Sequence, residues 1–375
     1  MGVRPRAVEA LVVTPAFWSD RRVLVTGHTG FKGAWLCHWL DELGAQISAV
    51  SLPPDTEPNL YSILGLGRRL AEGLFDINDG AALAALLVEQ KPEIIFHLAA
   101  QALVRRSYRQ PVETFATNVL GIVTLLDAVR RCPSVRAVVV VTSDKCYENA
   151  EKRTAFTEAD RLGGRDPYSA SKACAEIAAQ SMRSSFFAPY VRSGHAARIA
   201  TVRAGNVIGG GDWADDRLLP DIVRACLQDG GPVRLRNPAA VRPWQHVLEP
   251  LRGYLDIAER LVTSPPGVDE AWNLGPDDAD ARSVREVAAA MIARIGRSTA
   301  IIDEAREAPP EAQFLSLDCS KAKLGLGWRP LLRFDDAIGM TADWYGGWAK
   351  NGDMTAFTSR QIADYYARVA ALAAA

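Results

Sequence analysis

The sequence has no marked excess of charge of either sign and no long hydrophobic run. Its 43 basic and 44 acidic residues leave a formal net charge of −1 over 375 residues. This balance argues against a nucleic-acid-binding protein, since such proteins usually carry a strong basic excess. No stretch approaches about 18 consecutive apolar residues, so the sequence predicts no membrane span. The N-terminal segment has no long apolar core and no Ala-x-Ala cleavage site, so we expect no signal peptide.

Cysteine and histidine are few and widely spaced. The six cysteines include no Cys-x-x-Cys pair, which suits reduced thiols in a cytoplasmic protein. The five histidines show no metal-ligand spacing, so no metal site is predicted. The length allows two domains, or one large α/β unit with an appendage.

Segments typical of strands and helices alternate along the first half of the chain. We expect strands at 23–25, 47–50, 93–98, 136–142 and 198–203, and helices at 34–43, 79–90, 112–131 and 167–186. The strand at 136–142 is apolar on both faces, as in the middle of a parallel sheet. The alternation predicts an α/β protein with a Rossmann-like, doubly wound parallel sheet.

After residue 206 this rhythm is lost. The segment GNVIGGGDWADD is rich in glycine and aspartate and is typical of a loop. We therefore expect a Rossmann domain over 17–206 and a smaller C-terminal α/β domain over 207–350. We expect the smaller domain mainly to bind substrate. One of its elements can add to the parallel sheet of the Rossmann domain. A helix ending in an alanine-rich tail is expected over 351–375.

Three glycines follow the first predicted strand. Gly27, Gly30 and Gly33 have Gly-x-x-Gly-x-x-Gly spacing, which differs from the Gly-x-Gly-x-x-Gly of ordinary dehydrogenases. Glycine permits a tight turn and lets backbone N–H groups approach a pyrophosphate at a helix N-terminus. The position between a strand and an amphipathic helix favours phosphate binding over the alternative, a tight turn without a ligand.

Reactive side chains cluster after the central strand. Ser143, Asp144 and Lys145 lie just past its end, where open α/β sheets bind ligands. Tyr168 and Lys172 are one helical turn apart and so share a face. A lysine beside a tyrosine lowers the pKa of the phenol, and a tyrosinate is a competent base near neutral pH. These residues predict acid–base chemistry at the sheet edge.

Asp76 and Ile77 come just before the predicted helix at 79–90. The carboxylate of Asp76 can accept a hydrogen bond from an adenine amino group, and Ile77 can cover the ring. The alternative is that Asp76 only caps the helix. The sequence leaves both interpretations open.

Taken together, these motifs resemble the extended short-chain dehydrogenase/reductase family and, within it, the sugar-nucleotide 4,6-dehydratases. The resemblance covers about residues 17–350 and includes TGHTGFKG, HLAAQ, TNVLG, TSDKCY, YSASK, RAGNVIGGGDWADDRLLPD and RPWQHVLEPLRGYL. Its sharpest feature is Asp144-Lys145. Most of these dehydratases carry Asp-Glu there, and the branch that acts on CDP-glucose carries Asp-Lys.

The resemblance implies NAD as the cofactor, with NADP less favoured. The cofactor contacts it implies are Gly27, His28, Gly30, Phe31, Lys32, Gly33, Asp76, Ile77, Ala99, Ala100, Gln101, Asn118, Tyr168 and Lys172. Ser51 directly follows the predicted second strand, where an acid usually holds the ribose 2′-hydroxyl. Without that acid NADP stays open, because Lys32 and His28 can attract a 2′-phosphate.

The resemblance also implies the chemistry, an internal redox dehydration of CDP-glucose. The implied catalytic residues are Ser143, Asp144, Lys145, Tyr168 and Lys172, and the implied substrate contacts are Gln101, Ser143, Asn206, Arg217 and Arg242. Asp144 would be the acid, and Lys145 either the base at C5 or a stabiliser of the enolate. For each arginine the alternative is a surface ion pair, and for Asn206 a loop-capping amide.

Rival functions remain open on the sequence alone. One is a 4,6-dehydratase or 4-epimerase for another sugar nucleotide, and another is a non-catalytic NAD-binding regulator. The resemblance further implies a cytoplasmic homodimer, or a tetramer of dimers, paired through helices at 107–131 and 167–186. The protein would bind the small-molecule substrate CDP-glucose, and it would bind neither nucleic acid nor a membrane.

Overall fold

The computed structural model describes residues 14–149, 154–187, 195–297, 299–304 and 314–374. The strands are β1 Arg22–Thr26, β2 Gln46–Ser51, β3 Ala71–Leu74, β4 Ile94–His97, β5 Ala137–Val141, β6 Arg198–Ala204, β7 Val207–Ile208, β8 Val233–Leu235, β9 Val241–Pro243, β10 Gln245–His246, β11 Ala271–Leu274, β12 Ala281–Ser283 and β13 Ile301–Asp303.

The helices surround these strands. They are α1 Pro15–Trp18, α2 Phe31–Glu42, α3 Leu60–Ile63, α4 Gly80–Gln90, α5 Val104–Arg109, α6 Pro111–Phe115, α7 Gly121–Val129, α8 Pro167–Met182, α9 Leu218–Arg224, α10 Leu248–Thr263, α11 Val284–Ile295, α12 Ser320–Gly325, α13 Phe334–Ala349 and α14 Met354–Ala374. Short π-helical segments follow α6, α8 and α9, at Ala116–Leu120, Arg183–Phe187 and Ala225–Asp229.

A seven-stranded parallel sheet forms the centre, in the order β11-β6-β5-β4-β1-β2-β3. The chain order reverses between β1 and β4, and in open α/β sheets ligands bind at such a switch point, outside the carboxyl ends of the strands. The residues of β5 are buried along its whole length, which explains its unbroken run of alanine and valine. The predicted Rossmann-like fold class is confirmed.

Two hydrophobic clusters pack on the opposite faces of the sheet. One contains α2, α10 and α13, and the other contains α4, α7 and the C-terminal half of α8. The helices therefore cover both faces, and the carboxyl edge of the sheet stays accessible between them.

The part after residue 206 builds three small two-stranded sheets among the described residues, β10-β7, β12-β9 and β13-β8. It also returns β11 to the central sheet, where it pairs with β6, and α10 packs against β5 and β6. The division into domains at residue 206 stays a prediction, since elements from both sides share the central core.

Within the described ranges, one helical stretch is long and apolar enough to cross a membrane by length and composition alone, Pro111–Val129. Forty-four per cent of its apolar window is buried inside the protein. It packs against α4 and α8, as a core helix of a folded domain does.

Candidate active site

The turn between β1 and α2 requires glycine at two positions. Gly27 has a left-handed φ of +77°, and a Cβ there would lie 2.6 Å from the backbone nitrogen of Ala99. A Cβ on Gly33 would lie 2.1 Å from the carbonyl oxygen of Gly27. Gly30 is the N-cap residue of α2 and offers no side chain to cap the helix. The N–H groups of the first helical turn are therefore free to bind an anion.

A cavity of about 300 Å³ opens above this turn; we call it the turn cavity. Of the predicted cofactor residues it is lined by Gly27, Gly30, Phe31, Lys32, Gly33, Asp76, Ile77, Ala99, Ala100 and Gln101. Asp76 accepts hydrogen bonds from Asn78, at 2.8 Å from its backbone nitrogen. The N-cap of α4 is Asp79, which accepts from the backbone of Ala82 at 3.0 Å. Helix capping therefore does not account for Asp76.

Four predicted cofactor residues do not line the turn cavity: Tyr168 and Lys172, which line the neighbouring cavity described below, and His28 and Asn118. The buried ring of His28 is turned away and lies 2.7 Å from Glu72. Asn118 holds the backbone of Gln101, accepting from its nitrogen at 2.8 Å and donating to its oxygen at 3.0 Å, and it also donates to Ser171 at 2.9 Å. In this structure Asn118 joins the loop after β4 to α8.

The side chain of Gln101 is occupied within its own loop. Its amide donates to Thr114 at 2.9 Å and to the carbonyl of Leu103 at 3.1 Å, and its oxygen accepts from the nitrogen of Leu103 at 2.6 Å. These bonds shape the loop that lines the turn cavity, which Gln101 itself lines. Its contact with cofactor and substrate stays a prediction.

A second cavity, of about 600 Å³, lies beside the first; we call it the tyrosine cavity. Its lining includes all the predicted catalytic residues and four of the predicted substrate residues, with Ser143 in both groups, namely Ser143, Asp144, Lys145, Tyr168, Lys172, Asn206, Arg217 and Arg242. The two cavities share wall residues, among them Phe31, Lys32, Ala100 and Arg217. A ligand in one can therefore approach a ligand in the other.

Asp144 is a buried carboxyl group at the end of β5. It follows β5 in a short 3₁₀ turn, and its Oδ1 accepts from the hydroxyl of Ser143 at 3.0 Å. Its Oδ2 is buried and has no hydrogen-bond partner within the described residues. Burial raises the pKa of Asp144, against the opposing charges of Lys145 and Arg242. Gly205 makes room for the carboxyl group, since a Cβ there would lie 2.6 Å from Oδ2.

Tyr168 and Lys172 both face the same cavity from the first turns of α8. Burial raises the pKa of Tyr168 to about 12, while a hydrogen bond with Ser143 and the charge of Arg217 lower it. Burial lowers the pKa of Lys172 to about 8, opposed by the negative charge of Glu176. The expected lowering of the phenol pKa does not occur in this structure, because desolvation outweighs the lowering by Ser143 and Arg217.

Comparison with known proteins decides the family. The family described as GDP-mannose 4,6 dehydratase matches residues 24–341. A CDP-glucose 4,6-dehydratase of Salmonella typhimurium is 46% identical over 93% of this chain and 97% of its own length. The chain belongs to the sugar-nucleotide 4,6-dehydratases. The predicted resemblance is thus confirmed for the family.

Solved structures agree with this assignment. A dTDP-glucose 4,6-dehydratase of Streptomyces venezuelae, a double mutant with NAD bound, is 26% identical with a TM-score of 0.73, covering 89% of this chain and 99% of that one. A dTDP-glucose 4,6-dehydratase of Bacillus anthracis in complex with NAD has the same fold, with a TM-score of 0.71 at 22% identity over 90% of this chain and 100% of that one.

In this member of the family, the side chain of Lys32 lies at the boundary of the two cavities. Burial, together with the charges of Lys172 and Arg217, lowers its pKa to about 7, and Asp144 opposes this shift. Lys32 thus borders the cavity that holds the predicted catalytic residues. This position is not evident from the sequence, because the residue lies inside the glycine motif and its neighbours are distant in the chain.

The remaining predicted substrate residues also surround the tyrosine cavity. Arg217, at the N-cap of α9, donates to Asp212 at 2.8 Å. Arg242 lies buried on β9, close enough to lower the pKa of Asp144. Asn206 lies before β7, and its carbonyl accepts from the backbone of Gln245 at 3.1 Å.

Sequence reasoning missed a basic rim on the tyrosine cavity. Arg105 and Arg236 both donate to one oxygen of Asp216, at 2.8 and 2.9 Å. All three line the cavity. They come from α5, the loop before α9 and the segment after β8, so no local motif could have joined them.

Proposed function

We propose that the protein is an NAD-dependent CDP-glucose 4,6-dehydratase, which converts CDP-glucose to CDP-4-dehydro-6-deoxyglucose and water. One observation carries this proposal. A buried carboxyl group with a raised pKa, Asp144, shares a cavity with Lys145 and with Tyr168 and Lys172. A 4-epimerase needs the last two residues but has no use for an acid–base pair for elimination. The 46% identity with the Salmonella protein supports the choice of CDP-glucose.

The turn cavity fits NAD. The uncapped N-terminus of α2 suits the pyrophosphate. A Cβ added at Gly30 would contact the carbonyl oxygen of Gly27 at 3.4 Å and, its chain neighbours aside, no other atom of the described residues within 4 Å. The space beside Gly30 is therefore open to a ligand. Asp76 and Ile77 line the same cavity in the place proposed for adenine. When bound, NAD accepts a hydride from C4 of the sugar and later returns it to C6.

Tyr168 would remove the proton from the sugar 4-hydroxyl. Its hydrogen bond with Ser143 and the charge of Arg217 stabilise the phenolate against the cost of burial. Ser143 would bond the same sugar hydroxyl, and Lys172 would bond the ribose beside the nicotinamide. The protein thus prepares C4 for oxidation by moving one proton at a fixed position.

The resulting 4-ketone makes the C5 proton acidic, because the carbanion is delocalised as an enolate. Burial raises the pKa of Asp144 and so favours its neutral form; the residue would protonate the departing C6 hydroxyl, which leaves as water. Lys145 either removes the C5 proton or stabilises the enolate by its charge. Both roles place its amine near C5, and the two are separated by experiment below.

The substrate diphosphate would bind the arginines of the tyrosine cavity. Arg217 and Arg242 supply guanidinium groups that suit phosphate oxygens, and Asn206 supplies an amide. Arg105 and Arg236 at the rim add positive charge where the nucleotide enters. We assign these residues to the diphosphate and nucleotide, away from the reacting carbons.

A substrate panel tests the proposed function. The protein is incubated with NAD and CDP-glucose, dTDP-glucose, UDP-glucose or GDP-mannose, then treated with alkali to develop the near-ultraviolet band of a 4-keto-6-deoxy sugar. We expect the band with CDP-glucose, and its absence in the Tyr168→Phe variant. A band with another nucleotide alone would overturn the choice of base, and a 4-epimer on chromatography would favour the epimerase.

We further propose a cytoplasmic homodimer, or a tetramer built from dimers. All six cysteines are unbridged in the structure. Large apolar side chains are exposed along the helices at 104–129 and on α8, namely Tyr108, Val112, Phe115, Leu120 and Ile177. A second copy packed against this face would cover them. Light scattering that gives a monomer mass at micromolar concentration would contradict the proposal.

A further inference from the structure

Two hydroxyl groups line the turn cavity where a dinucleotide presents its adenosine ribose. Ser51 ends β2, and Thr29 lies in the glycine turn. In dinucleotide-binding folds, an acidic residue about 20 positions after the glycine turn accepts the ribose 2′-hydroxyl at the end of the second strand. Here Ser51 occupies that position, so a neutral hydroxyl group must accept the hydrogen bond from the ribose 2′-hydroxyl in place of a carboxylate.

The hydrogen bonds of the two hydroxyls have one consistent direction. Thr29 Oγ1 lies 2.9 Å from the carbonyl oxygen of Leu52 and 2.8 Å from Ser51 Oγ. A carbonyl can only accept, so Thr29 donates its single proton to Leu52. In the arrangement that satisfies both contacts, Ser51 then donates its own proton to Thr29. The oxygen of Ser51 can then accept a hydrogen bond from a ligand in the cavity, but it has no proton left to donate.

The basic side chains of the glycine turn do not face Ser51. His28 lies against Glu72 at 2.7 Å and is fully buried. Lys32 lines both this cavity and the tyrosine cavity, whose lining also includes Lys172 and Asp144. Of the two residues expected to attract a 2′-phosphate, His28 is therefore bound to Glu72, and Lys32 borders the tyrosine cavity.

The other cations that line the cavity within the described residues are Arg106 and Arg217. Arg106 is held by Gln110 and Glu113, each at 2.7 Å, with Asp55 at 3.4 Å. Asp55 also lines the cavity and adds negative charge close to the end of β2. A phosphate dianion near Ser51 would meet oxygen lone pairs and a carboxylate.

We propose that Ser51, oriented by Thr29, selects NAD over NADP. As an obligatory acceptor it takes a hydrogen bond from the 2′-hydroxyl, and it has no proton to give to a 2′-phosphate. This inference rests on the proposed NAD site and adds how that site discriminates. The selectivity depends on a proton direction set by Thr29 and not on a negative charge at Ser51.

Two variants separate the roles of the two hydroxyls. Thr29→Val keeps the shape of the side chain and releases the proton of Ser51, which can then donate to a phosphate. We expect the ratio of NADP affinity to NAD affinity to rise by about 10- to 100-fold, the range for a hydrogen bond to a charged group. Ser51→Ala removes the acceptor, so NAD affinity should fall by about 3- to 10-fold and NADP affinity should not fall.

The measurement is calorimetric binding of NAD and of NADP to full-length protein freed of nucleotide, with thermal unfolding as a check on the fold. Thr56→Val is the matched control, since it removes a threonine hydroxyl from the same cavity outside the Ser51–Thr29 pair. It should leave the ratio unchanged. Wild-type affinity for both cofactors in Thr29→Val, or equal affinity for them in the wild type, would overturn the proposal. A wild type that binds neither would overturn the NAD site itself.

Discussion

Glu176 and Arg203 form a buried ion pair, with 2.8 Å between the two side chains, directly behind the candidate active site. The carboxylate also accepts from the hydroxyl of Thr142. Glu176 lies one helical turn after Lys172 on α8, and Thr142 immediately precedes Ser143. Glu176 therefore joins α8, which carries Tyr168, to β6 through Arg203 and to the residues after β5, beside Asp144, through Thr142.

Removing one charge of this pair should destabilise the fold strongly. Glu176→Gln leaves Arg203 charged and buried without a counter-charge, which typically costs about 3–5 kcal/mol. The matched control is Glu148→Gln, whose partner Arg161 is 88% exposed. That change should cost less than about 1 kcal/mol. Urea unfolding monitored by tryptophan fluorescence measures both, and equal stability of the two variants would contradict the structural role of the pair.

Tyr168→Phe should abolish most of the activity and leave the fold intact, because only one oxygen is lost. A positioned general base contributes about 10²–10⁴-fold. Product formation from CDP-glucose should therefore fall by that factor, while calorimetric NAD binding changes little. Activity within a few-fold of wild type would reject Tyr168 as the base.

The acid role of Asp144 predicts a pH dependence with a definite sign. Burial raises its pKa, so the carboxyl is protonated below that pKa and loses its proton as the pH rises through it. Water loss should therefore decline on the alkaline side. Asp144→Asn cannot donate the proton, so dehydration should stall at every pH, while exchange of the C5 proton with heavy water survives. Loss of exchange together with dehydration would contradict this division.

The fold and the positions of most site residues follow from local patterns. Tyr168 and Lys172 share a face because helical spacing is regular, and Gly27 can be identified because a strand precedes it and a helix follows. Local patterns do not predict β3, because its residues are only partly buried or exposed at the sheet edge. They do not predict β11 either, because its partner β6 lies about 70 residues earlier in the chain.

Side-chain direction was the harder part to predict. His28 and Lys32 belong to one glycine turn, yet His28 turns to Glu72 and Lys32 to the neighbourhood of Asp144. Each direction depends on a partner far away in the sequence. The amide of Gln101 is likewise occupied by its own loop, a contact that the motif does not reveal.

Lys145→Ala separates the two roles left open for this lysine. Oxidation at C4 precedes elimination, so the near-ultraviolet absorbance of reduced cofactor should accumulate while dehydrated product forms slowly. If Lys145 is the base, exchange of the C5 proton with heavy water should disappear. If it stabilises the enolate, exchange should persist, slowed by about 10²-fold as for other lost electrostatic donors. Loss of oxidation itself, with NAD still bound, would contradict both roles.

The most direct test of the account follows a deuterium label placed at C4 of CDP-glucose. The label is located in the product by NMR after reaction with NAD in ordinary water. An internal redox dehydration carries the deuterium from C4 to C6, and the proton at C5 comes from the solvent. We expect a 4-keto-6-deoxy product with deuterium at C6. Deuterium retained at C4, in an epimer or in unchanged substrate, would contradict it.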